Sequence, residues 1–157
     1  MRRFLTFALF LSFPVLAFAQ INVSVPPARP LRQLPDTATI LVMGDVMMHR
    51  DQISNAARPD GTYDFSTYLA NIKPLIEDAD LAIANMEFTL AGKPYSGYPA
   101  FSAPDGYAAY VKDLGVDVFL TANNHIADKG ERGLRRTLQI YDSLRIRHTG
   151  TGLDERS

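Results

Sequence analysis

The sequence predicts an α/β domain, a mostly parallel sheet with crossover helices. Two observations carry that prediction. Short apolar, β-prone runs alternate with stretches of helical spacing, in the order β-loop-α-β-loop-α-β-α-β. Each clear strand also ends in a polar residue, and open α/β sheets bind ligands beyond the carboxyl ends of their strands. At 157 residues the chain is long enough for one domain with a real core.

The N-terminus reads as a leader. Met1 to Arg3 is a short positive region, Phe4 to Leu16 is nearly all apolar, and Ala17-Phe-Ala19 has the small-x-small form of a signal peptidase site. The apolar run is short against the roughly 20 residues of a spanning helix. A signal peptide over 1–19 and an exported mature protein are therefore expected, periplasmic, in the cell envelope or extracellular. Removal of the leader takes the formal charge from −1 to −3, 14 basic against 17 acidic residues. The absence of cysteine excludes disulfides, thiolate metal sites and a lipidated N-terminal cysteine, so a lipoprotein is not expected. With 46% hydrophobic and 21% charged residues, the composition is globular and gives no support to nucleic-acid binding. Residues 20–37, with Val25-Pro-Pro-Ala-Arg-Pro30 and Pro35, read as a Pro-rich extended linker.

The folded domain is expected over 38–157. Thr39 to Met43 is a buried strand by its apolar run, ending at Gly44-Asp45. Residues 46–64 read as loop, with a turn signal at Arg58-Pro-Asp-Gly61. Tyr68, Leu69, Ile72, Leu75 and Ile76 give helical spacing between Phe65 and Ala79, with Pro74 breaking or restarting the helix. A second strand runs from Asp80 to Asn85. After a long loop at 89–104, Pro104 to Leu114 reads as a helix with Gly115 at C′. Val116 to Thr121 is the third strand. Leu134, Leu138, Tyr141 and Leu144 share one face of a helix over 129–145, with Asp128 as its cap. Ile146 to Thr149 is a fourth short strand.

Parallel strands would bring three polar sets to one edge: Asp45 with His49, Asn85 with Glu87, and Asn123 with Asn124 and His125. Hard oxygen donors and imidazole suit zinc, manganese or iron, singly or as a pair, and a two-metal site can activate water and clamp a phosphoryl oxygen. Plainer roles stand beside these. Asp45 can cap a turn, Glu87 can be a solvated acid, and His49 can be an exposed loop histidine. His125 can be hydrogen-bonded to backbone, and Asn123 can hold its loop instead of facing substrate. His148 reads as structural. In the 89–104 loop, Lys93, Tyr95 and Tyr98 either line a substrate groove, with Phe101, or pack the loop onto the domain. No phosphate-binding P-loop, dinucleotide fingerprint or nucleophile elbow occurs.

Four stretches carry a family resemblance: Gly44-Asp-Val-Met-Met-His49, Ala82-Ile-Ala-Asn-Met-Glu87, Tyr98-Pro-Ala-Phe-Ser-Ala-Pro104 and Ala122-Asn-Asn-His-Ile-Ala-Asp-Lys-Gly130. In this order they resemble the CapA-type poly-γ-glutamate capsule biosynthesis proteins, of the calcineurin-like metallophosphoesterase superfamily. The resemblance runs from about Thr39 to Gly152. It implies a metallophosphatase-like αββα sandwich with a site for two divalent ions, Mn, Fe or Zn. Asp45 matches the first metal ligand and Glu87 the bridging acid, a Glu where most relatives have Asp. Asn124 would bind the second metal, and His125 would contact the scissile phosphate or protonate the leaving group.

Two departures follow from the resemblance. Met47 stands where the superfamily has a histidine, for which His49 is the nearest replacement. The further histidines that relatives carry in their second half have no counterpart. The chain is therefore expected to be the N-terminal half of the domain, with an incomplete metal site. The implied activity is metal-dependent hydrolysis in cell-surface polymer biosynthesis or export. The implied partners are a polymer or phosphoester substrate and the capsule machinery at the membrane. The competing expectation is a non-catalytic envelope assembly or binding component, or a fragment inactive without its other half.

Overall fold

The computed structural model describes residues 37–153. The leader and nearly all of the linker lie outside the described residues. Among the described residues no helix is long and apolar enough to cross a membrane.

Four strands form one sheet: β1 (Ile40–Val46), β2 (Leu81–Met86), β3 (Val118–Leu120) and β4 (Arg147–Thr149). They lie in the order β1-β2-β3-β4 and every pairing is parallel. Between them run α1 (Arg50–Ala56), a 3-10 turn at Ala70–Ile72, α2 (Lys73–Glu77), α3 (Asp105–Asp113) and α4 (Gly130–Ser143). The α/β architecture expected from the sequence is present, as half of the expected sandwich.

Strand order explains where the core lies. Parallel crossovers are right-handed, so a sheet that always grows in one direction receives every crossover on the same face. The register puts Leu41, Met43, Ala82, Ala84 and Phe119 together on the covered face. Ala82, Ala84 and Phe119 are fully buried there. The small alanines let helices approach closely. Above them pack Phe88, Tyr107, Val111, Leu138 and Tyr141. Phe119 meets Tyr141 edge-on at 5.4 Å, and Phe88 meets Tyr107 at 5.5 Å. Burial of one such ring is worth about 1.5–3 kcal/mol.

Local chemistry sets the ends of the elements. Asp80 Oδ2 accepts from Thr39 N, and Asp117 Oδ2 accepts from Ala82 N, tying the strand starts together. Gly115 follows α3 at φ +108, a left-handed position that glycine takes without a Cβ penalty.

The structure departs from the sequence reading in four places. β1, expected to be buried, is covered on one face only among the described residues, so Ile40 and Val42 are exposed. Residues 46–64 are not all loop, because α1 forms within them. His49 precedes α1, and its backbone N–H donates to Gln52 Oε1 at 2.7 Å, one half of a capping box. The helix expected over 65–79 is reduced to a 3-10 turn and five residues of α2. Leu69 sits at φ 54, which interrupts helical continuity, and Pro74 occupies the first turn of α2, where its missing N–H costs nothing. Leu75, expected on the buried face, is 63% exposed. Asp128 does not cap α4: Lys129 is the N-cap residue, with no side-chain cap bond. Asp128 is bonded elsewhere.

Candidate active site

The polar strand ends do converge on one edge, and Asn85 joins them. Its Nδ2 donates to Asp45 Oδ1 at 2.8 Å and to Glu87 Oε2 at 2.9 Å. Its Oδ1 accepts from Asn123 Nδ2 at 3.0 Å. One carboxamide thus links β1, β2 and the loop after β3. The position is possible because β1 is irregular at its end. Register shifts between Met43 and Val46, and Asp45 takes φ 33. A non-glycine residue there is strained, and such strain is held only where surrounding bonds over-determine it.

Asp45 and Glu87 are electrostatically linked. Burial, then the hydrogen bond and charge of Asp45, push the Glu87 carboxyl above its ordinary range, against the pull of His125 and Asn85. The hydrogen bonds from Asn85 and from Glu87 hold Asp45 below its ordinary range. The two carboxyls are thus pushed apart in proton affinity, Glu87 up and Asp45 down.

His125 completes the cluster. Its Nδ1 lies 2.8 Å from Asp128 Oδ2, and its Nε2 lies 3.9 Å from Glu87 Oε1. Asp128 as a carboxylate can only accept, so Nδ1 carries the proton and Nε2 faces Glu87. The same Asp128 oxygen accepts from Phe101 N at 2.7 Å. The buried Phe101 ring meets the imidazole edge-on at 4.7 Å. Asn123 Oδ1 accepts from His125 N at 3.1 Å, and Asn123 Nδ2 donates to Met86 O. Asn123, His125 and Asp128 are each held by two or more contacts.

The other expected site residues are not hydrogen-bonded into this network. Asn124 is exposed and makes no hydrogen bond among the described residues. His49 is exposed at the start of α1, with its ring edge-on to Phe101 at 5.1 Å. It borders, with Asp45, Met43, Met47 and Leu69, a cavity of about 300 Å³. Lys93 reaches the Tyr95 ring at 5.9 Å. Tyr95 packs edge-on against Tyr63, and Tyr98 is 70% exposed. Phe101 packs the loop onto the domain.

Asp128 was read from the sequence as a helix cap, and Asn85, placed at the site edge with Glu87, was given no role of its own. Asn85 carried a signal, since i and i+2 on a strand side with each other and Glu87 is two residues on. Asp128 also carried one, three residues after His125 in a turn.

The cluster suits part of a divalent-ion site. Asp45 and Glu87 are hard oxygen donors whose mutual repulsion a cation would relieve, and His125 Nε2 lies near Glu87. The described residues do not complete a centre: no group of three or more His, Cys, Asp or Glu among them is arranged to hold an ion.

Comparison with known proteins gives a consistent picture. The family model described as Bacterial capsule synthesis protein PGA_cap matches residues 39–157. Two proteins of Sinorhizobium fredii (strain NBRC 101917 / NGR234), the uncharacterized proteins y4sH and y4uA, are each 28% identical over 125 residues, covering 74% of this chain and 25% of theirs. The capsule biosynthesis protein CapA of Bacillus anthracis is 25% identical over 120 residues, covering 73% of this chain and 28% of its own length. The chain thus spans about a quarter of the length of the curated relatives it matches.

Proposed function

The chain belongs to the bacterial capsule synthesis protein family, and from that premise we propose that it works, as part of an exported protein, in cell-surface polymer biosynthesis or export. We propose further that its strand-end cluster is one side of a metal-dependent site that hydrolyses a phosphoester or related bond. The observation that supports this reading is the single hydrogen-bonded network from Asp45 through Asn85 and Glu87 to Asn123, His125 and Asp128.

Asp45 and Glu87 would hold the ion. A bound transition ion supplies Lewis acidity and a water acidic enough to act as nucleophile near neutral pH. The chain's own residues do the rest. Asn85 keeps both carboxylates aimed at one point. Asp128 orients His125 and keeps the proton on Nδ1, which leaves Nε2 to exchange a proton with a leaving group. Phe101 covers one side of the imidazole and shields it from water.

Metal content and turnover of the complete protein test the proposal. Elemental analysis should find a transition metal that falls in Asp45→Ala. With manganese added, phosphodiester hydrolysis should vanish in Glu87→Gln. Asp128→Asn should lower kcat by about 10²–10⁴-fold, the range of a general acid or base, with KM little changed. Metal content equal in all variants would defeat the metal reading. A second reading, a non-catalytic assembly component, is favoured by the lack of a three-residue ion-holding group among the described residues. Metal bound without any turnover would select it. Export is tested by N-terminal sequencing of the mature protein, which should begin at Gln20.

A further inference from the structure

A separate cavity of about 240 Å³ shares two chain segments with the site. Ser102 follows Phe101, and Lys129 follows Asp128. The lining comes from the 91–94 loop, from Ser102 and from the start of α4, and it includes Lys93, Lys129 and Arg132 but no acid. In a chain with a formal charge of −1, this clustering of cations is not a matter of composition.

Neighbouring arginines on α4 are neutralised. Arg135 Nη2 lies 2.8 Å from Glu131 Oε1. Arg136 is gripped by both oxygens of Asp105 at 2.7 Å. Lys129 and Arg132, by contrast, have no carboxylate partner among the described residues. Of the cations on α4 and at its start, the two that line the cavity are the two without a carboxylate partner among the described residues.

The cavity wall is also built for close approach. Gly133 is buried inside α4, where glycine is the poorest helix former after proline. A Cβ there would come 2.5 Å from the Lys129 Cβ and 3.4 Å from the Ala91 Cβ. Glycine lets the Lys129 stem lie against the helix and keeps the wall open. The opposite wall is pinned, because Ser102 Oγ donates to Gly92 O at 2.8 Å and Ser96 and Ser102 exchange both backbone hydrogen bonds.

We propose that this cavity is an anion-binding subsite that takes the repeated carboxylate or phosphate groups of an extended polymer, with Lys129 and Arg132 as its contacts and Lys93 beside them. The polymer rests on the functional reading above. Anion binding rests on the cavity alone.

The complete protein is titrated with three probes: fluorescently labelled poly-glutamate, inorganic polyphosphate and inorganic phosphate. Poly-glutamate or polyphosphate should bind at low salt and weaken as salt rises. Lys129→Gln with Arg132→Gln should weaken binding about tenfold or more, the loss expected for two hydrogen bonds to charged groups. Arg135→Gln, which breaks an exposed pair, should bind as the parent does. If that double variant misfolds by thermal melting, Arg132→Glu alone carries the test, with the same direction of effect. Preference for one polymer tells carboxylate from phosphate. Binding of none of the three probes, or equal binding by parent and double variant, overturns the subsite. Probe binding by a parent that shows no turnover would leave the subsite standing while the hydrolytic reading fails.

Discussion

The two faces of the sheet are unlike. On the covered face the side chains alternate small and large: Ala82 and Ala84 admit the helices, and Phe119 fills the space beside them with no exposed surface. On the other face the register aligns Ile40, Val42, Leu81, Ile83, Val118 and Leu120. These are bulky and mostly β-branched, yet Ile40 is 58% and Val42 65% exposed. All-parallel sheets are normally covered on both faces, and their strands read as continuous apolar runs for that reason. β1 and β2 carry the sequence of a doubly covered strand, while the described residues cover one side. The candidate site lies at the boundary between these conditions. Asn85 belongs to the open face, and Asn123, His125 and Asp128 follow β3 in the loop that leads to α4. The well-held half of the cluster is the one packed on covered core.

That contrast can be broken first at its strongest point. Phe119→Ala removes a fully buried ring from the covered face and leaves a cavity against Tyr141. It should cost about 3–5 kcal/mol, read as a lower urea midpoint at unchanged slope. A smaller loss would mean that Tyr141 collapses into the space.

A second test titrates the same face. Burial pushes the Tyr107 and Tyr141 phenols well above the usual value of 10.0. Groups raised in the fold contribute stability that is fully present below the unfolded pKa and lost as pH rises through it. Stability should therefore hold to about pH 10 and fall above it, and the part of the phenolate absorbance that Tyr107→Phe and Tyr141→Phe remove should rise at the unfolding transition and not before. If that part develops in the folded protein, these rings are reachable by water.

The sequence made the covered face readable and left much of the site unread. Strands declared themselves through uninterrupted apolar runs, and α4 through Leu134, Leu138 and Tyr141. α1 did not, because among Arg50 to Ala56 only Ile53 and Ala56 are apolar, too few to set a period. The expected helix at 65–79 failed at Leu69, whose positive φ no propensity reveals. Asp45, Glu87 and His125 were legible as strand-end polar residues. Their connection was not, since it depends on the irregularity of β1 at Asp45 and on a carboxamide reaching three ways. Asp128 was misread because an Asp ahead of a helix is an ordinary cap. Its bond to Phe101 N, 27 residues earlier, is a tertiary fact.

The smallest expected effect bears on the open face. Ile40→Lys and Val42→Lys replace side chains that are already more than half exposed, at the sheet edge, with long charged ones. In the chain of residues 1–157 each should change stability by no more than about 0.5 kcal/mol, as surface substitutions do. Each should also reduce self-association and the binding of a hydrophobic dye, since both act on the same apolar surface. The same substitutions in the complete protein give the sharper comparison. If further chain covers this face there, each lysine is buried without a partner, and destabilisation should rise to several kcal/mol. Equal, small effects in both contexts would mean that the face stays open to water, and that its apolar rows serve contact with another molecule. The ratio of the two destabilisations, measured by denaturant melts, decides whether the open face stays open in the complete protein or is covered there.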